Sequence, residues 1–158
     1  MRRLALICVL ALTLPPEATA QGSRRGDDPF CTALRQVVNA AGSGFDYLPR
    51  NQRLLPGSVE ERRGITRTGD GPPRAVVYAI MLRDNSGERP SPAAARFQAL
   101  QAAISRCLPD AQASPPQAAP RGATAAWTLP MALIGLRRDE GEGFASSAEV
   151  EISVASRW

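Results

Sequence analysis

Apolar and polar positions along this chain fall into segments with different periods, and the first is a run without any charge. Residues 4–14 are apolar or neutral, preceded by Arg2 and Arg3 and closed by Pro15 and Pro16. Eleven residues are too few to cross a bilayer as a helix but suit the apolar region of a secretory signal peptide. Ala18-Thr19-Ala20 then supplies the small-x-small pattern that signal peptidase accepts, which predicts cleavage between Ala20 and Gln21. An uncleaved N-terminal anchor is the competing reading. Residues 21–28 are polar and are expected to form a flexible mature N-terminus.

Helical spacing follows. Phe30, Leu34, Val37, Val38 and Ala41 stand on one face of a helix that Asp27 or Asp28 caps, with Pro29 in its first turn. Gly42 and Gly44 are expected to end it. A second helix shows the same grammar: Ser91 as cap, Pro92 in the first turn, and Phe97, Leu100, Ile104, Cys107 and Leu108 as its apolar stripe, stopped by Pro109.

Strand patterns lie between and after these helices. Residues 75–82 are continuously apolar at strand length and read as a buried strand. Ala148, Val150, Ile152 and Val154 alternate with Glu149, Glu151 and Ser153, the period of a strand with one buried and one wet face. Residues 127–136 read as its hairpin partner, with Pro130 at an edge or bulge. Residues 51–71 are ambiguous. Ser58-Val59-Glu60-Glu61 matches a helix capping box, yet Gly64 follows too closely, and Val59, Ile65, Thr66 and Thr68 favour polar strands. Residues 109–125, rich in Ala, Pro and Gln, show no period and are expected to be a long exposed loop.

The order of elements predicts an α+β fold: a two-layer sandwich in which an antiparallel sheet carries both helices on one face. Residues 29–158 then form a single domain behind a signal peptide at 1–20.

Composition changes this picture in three ways. After cleavage two cysteines remain, Cys31 near the start of the first helix and Cys107 near the end of the second. In an oxidising compartment an even pair reads as a disulfide, which sets those helix ends together; a pair of buried thiols is the alternative. A metal site on two cysteines lacks both a C-x-x-C spacing and any histidine. Second, all 19 basic residues are arginine. Losing Arg2, Arg3 and Glu17 with the leader leaves 17 arginines against 14 acids, too mild and too scattered a charge for a nucleic-acid surface. Third, the absence of histidine and lysine removes the commonest general base and Schiff-base chemistry.

Carboxylates remain as candidate catalytic groups: Glu60-Glu61, Asp139-Glu140-Glu142 and Glu149/Glu151. Their turn or wet-face positions favour an ordinary solubilising role. Asp84-Asn85-Ser86-Gly87-Glu88 resembles a fragment of a calcium loop but lacks its alternating ligands, and reads as a turn. Gly141 and Gly143 follow no phosphate-loop pattern, and Trp127 and Trp158 read as packing residues. The sequence therefore implies no cofactor, no metal and no assigned catalytic residue. It points to a periplasmic or secreted protein without a membrane span after cleavage, most simply a non-enzymatic binding or accessory module that meets a protein partner through an edge strand or the open sheet face. A small carboxylate-dependent hydrolase is the alternative function.

Overall fold

The computed structural model describes residues 28–67, 70–87, 90–119, 121–141 and 147–158. The expected signal peptide at 1–20, the expected Ala20–Gln21 cleavage point, residues 21–27 of the expected flexible N-terminus, Glu88, Glu142 and Gly143 lie outside the described residues. None of the described helices is long and apolar enough to cross a membrane.

Helix α1 spans Pro29–Ala40 and continues into a 3₁₀ turn at Ala41–Ser43. Asp28 caps it: its Oδ1 accepts the Phe30 N–H at 2.9 Å. That bond, with the Arg106 guanidinium behind it, holds the Asp28 carboxyl below its usual pKa. Gly44 ends the turn in the left-handed region at φ 65°. Helix α2 spans Ala93–Cys107, and Ser91 Oγ accepts the Ala93 N–H at its start.

The strands are β1 (Glu60–Thr66), β2 (Arg74–Asp84), β3 (Gln112–Ala119), β4 (Gly122–Thr128), β5 (Ala132–Glu140) and β6 (Ala148–Ser156). They form one antiparallel sheet in the order β1-β2-β6-β5-β4-β3. The long apolar strand β2 and the alternating strand β6 pair with Val77 opposite Val154 and Ala79 opposite Ile152. These residues, with Ile134, Leu136, Ala125 and Trp127, share one buried cluster with Leu34, Val37, Phe97, Leu100 and Ile104 of the helices. Trp127 belongs to this core, and its indole N–H donates to Ser105 Oγ of α2 at 3.1 Å. Burying some two dozen such side chains is the main favourable contribution to folding.

Cys31 and Cys107 form a disulfide that links the two helices, with Cα atoms 4.9 Å apart. Two polar contacts tie the same ends: Arg35 Nε donates to the Cys107 carbonyl at 3.0 Å, and Arg106 pairs with Asp28 at 3.2 Å.

Two expectations need correction. The segment 109–125 is not a loop. It forms β3 and the first half of β4, and the register between them breaks at Ser114/Gln117, where Pro115 and Pro116 sit. At a bulge on an edge strand, the amide hydrogens that proline lacks have no partner to lose. The expected strand at 127–136 is likewise divided: β4 stops at Thr128, Pro130 lies in the connection, and the Leu129 N–H donates to the Ala132 carbonyl as the chain reverses.

Candidate functional site

The candidate carboxylates are distributed by the sheet register. β1, β2, β6 and β5 place Glu60, Arg83 and Glu149 on the side of the sheet away from the buried cluster, so that Arg83 stands between the two glutamates at 2.9 and 3.2 Å. Both partners raise the Arg83 pKa, so this guanidinium stays charged. Further along, Glu151 is flanked by Arg62 at 3.2 Å and Arg137 at 3.9 Å, and Arg137 also meets Asp139 at 3.1 Å. Glu151 is only 7% exposed, so it is not the solvated residue that its alternation with valines suggests. Glycosidase-type chemistry needs two carboxyls facing one cavity across a substrate. Here arginines occupy the positions between the acids. Glu140 meets Arg138 at 3.5 Å, and Asp84 accepts from Ser86 and Ser91 within its turn.

This outer face is not uniformly polar. Its other half carries Val76, Tyr78, Leu133, Gly135, Ser153 and Ala155 around a shallow hollow of about 300 Å³. A Cβ at Gly135 would lie 2.6 Å from Ser153 Oγ, so a larger residue there would turn the Ser153 hydroxyl aside.

A more developed site lies at the β1 edge. Strand alternation puts Glu61 and Arg63 on the opposite side from Glu60 and Arg62. The two side chains that result act as clamps on the connection between α1 and β1. Glu61 accepts the Leu54 and Leu55 N–H groups, each at 2.7 Å, and the Ser58 hydroxyl at 2.8 Å. Arg63 donates to the Leu48 carbonyl at 3.1 Å, to that of Phe45 at 3.4 Å, and to that of Pro49. Arg53 closes the segment by donating to the Ser58 carbonyl at 2.9 Å. The chain from 45 to 58 is thereby tied to β1.

A groove separates the two. Its deeper part is a cavity of about 390 Å³ lined by Phe45, Arg50, Gln52, Arg62, Arg63 and Val77, among others. A second hollow of about 420 Å³ shares Arg50, Gln52 and Glu61 with the first and reaches Val59 and Glu60. Together they lie between the 44–54 segment and residues of β1, and Val77 of β2 lines the first. Phe45, at the inner end, takes φ 70°, a left-handed conformation that costs a non-glycine residue about 1–3 kcal/mol and that clusters at functional sites. Its ring is buried in the core, which offsets the strain.

No family model, curated protein or solved structure matches this chain. The chemistry of the groove must therefore be argued from its own groups. Glu61 already accepts from three donors of the chain itself, so its oxygens are engaged in holding the 54–58 segment. Arg63 is likewise spent on backbone carbonyls. Arg50 is exposed, and among the described residues it makes no hydrogen bond or ion pair. Arg62 gives one N–H to Glu151, lies over the Tyr78 ring at 4.8 Å, and keeps 60% of its side chain in solvent. The groove can thus bind and orient, with backbone groups of an edge strand on one side and arginine donors on the other. Sequence reasoning missed it. The only signal was Ser58-x-x-Glu61, which reads as a helix cap but serves instead to hold a loop against a strand.

Proposed function

We propose that this protein is an exported, non-enzymatic binding module, built as a two-layer α+β sandwich, that takes an extended segment of a partner protein along the free edge of β1. The observation that carries the reading is the difference between the two sheet edges. β3 is exposed along its described side chains and is broken by Pro115-Pro116, a device that prevents further strand addition. β1 contains no proline, has open space around Gly64, and is flanked by a groove whose far wall is fixed by Glu61 and Arg63. Added strands gain affinity from main-chain hydrogen bonds and specificity from alternate side chains. Export is supported by the leader pattern at 1–20 and by a disulfide that persists only where thiols are oxidised. The hydrolase reading loses support because its carboxylates are interleaved with arginines.

The test is site-specific photo-crosslinking in the living host. A photoreactive residue at Gly64 should give one discrete adduct of higher mass, and the same residue at Gln117 on β3 should give none. Adducts from Gln117 alone, or from neither position, would exclude β1 as the docking edge.

A further inference from the structure

We propose that the segment received at β1 is acidic, and that Arg50 is the residue that selects it; this rests on the edge-binding reading above. The charges of β1 disfavour pairing with apolar strands, so the charge that the edge leaves without a partner sets which strand it takes. β1 presents Glu60, Glu61, Arg62 and Arg63: Glu60 is paired with Arg83 at 2.9 Å, and the oxygens of Glu61 are occupied by three neutral N–H and O–H donors, which leave its charge in place. The donor capacity that remains is cationic. Arg50 stands in both parts of the groove without a partner among the described residues. Arg62 has only one of its N–H groups engaged, on Glu151. Arg67, just beyond the end of β1, is exposed and equally unpartnered among the described residues. Against these stand two lining acids without a cationic partner among the described residues: Asp46, beside Phe45, and Glu61, whose oxygens are taken by its three donors, so that Arg50, Arg62 and Arg63 outnumber the acids of the cavity. A carboxylate in an extended segment on β1 would meet the Arg50 guanidinium as a fork, the geometry in which arginine binds carboxylate most strongly.

The probes are two fluorescein-labelled hexapeptides, one alternating valine with glutamate and one alternating valine with lysine, titrated against the purified protein by fluorescence anisotropy. The glutamate peptide should bind, more weakly as salt rises, and the lysine peptide about tenfold less tightly. Arg50→Glu should remove that preference while leaving the melting temperature unchanged, and Arg157→Glu, an equal charge change elsewhere, should leave the preference intact. Equal binding of both peptides, or an unchanged preference in Arg50→Glu, overturns the selection by Arg50. A third probe separates the two ideas. The glutamate peptide N-methylated at alternate residues lacks the donors for strand pairing. If it binds as well as its parent, edge pairing is wrong although the arginine contact stands; if neither parent peptide binds, both are wrong.

Discussion

Removing the disulfide should lower the melting temperature by about 15 °C. Cys31 and Cys107 are 76 positions apart, and both are buried, at 2% and 1% exposure. The chain-entropy relation for closing a loop of that length gives about 4.5 kcal/mol at 25 °C as an upper value. Unfolding entropy near 2.1 cal/mol/K per residue, over the roughly 130 residues that follow Asp28, is about 0.27 kcal/mol/K. The quotient is a shift of about 16 °C, and the alanine cavities add to it slightly while any relief of native strain subtracts. The perturbation is the double variant Cys31→Ala/Cys107→Ala, followed by thermal circular dichroism beside the parent protein with and without reductant. The variant should still fold at low temperature, because the Arg106–Asp28 pair and the Arg35–Cys107 carbonyl bond continue to hold the helix ends together. A shift under about 3 °C would mean that the bridge constrains little of the unfolded chain. Two alkylatable thiols in the denatured, unreduced parent would refute the bridge itself.

Other perturbations test the packing and the electrostatics. Ile152→Ala, in the centre of the sheet and fully buried, should lower stability by about 2–5 kcal/mol in urea unfolding, whereas Glu151→Ala next to it should cost less than about 1 kcal/mol because its arginine partners are largely solvated; equal midpoint shifts would mean that the two faces are misassigned. Gly122→Ala should destabilise by about 1–3 kcal/mol, since a Cβ there would sit 1.9 Å from the Arg138 carbonyl oxygen and β4 would have to move from β5; an unchanged urea midpoint would contradict that close approach. Asp28 has its folded pKa below the usual 3.8, so its contribution is present above that value and is lost as the pH falls through the lower folded value. Asp28→Asn, which keeps the cap but not the charge, should therefore show its largest stability deficit near neutrality and converge with the parent toward pH 2. A deficit constant across that range would remove the carboxylate as its source.

The elements that could be read from sequence are those whose pattern arises from their own burial. The stripe of α1, the stripe of α2, the apolar run of β2 and the alternation of β6 each record one face turned toward a common core. The disulfide was legible because only two cysteines, Cys31 and Cys107, lie beyond residue 20. β3 was not legible, for a physical reason: its described side chains are exposed on both faces, so no period is imposed on them, and its strand character comes from pairing with β4. The groove was hidden for a related reason. It depends on two charged residues of β1 reaching back to backbone groups at 45–55, contacts that the ambiguous pattern of 51–71 does not record. Arg50 carries no pattern at all; what sets it apart is its place in both hollows without a partner among the described residues.

The most direct measurement is amide mapping of the ¹⁵N-labelled protein by NMR during titration with the valine–glutamate peptide. The account predicts that shift changes and slowed hydrogen exchange concentrate in β1, from Glu60 to Thr66, and at Arg50, with β3 unaffected. Changes centred instead on Leu133, Gly135 and Ser153 of the outer face, or on β3, would contradict it.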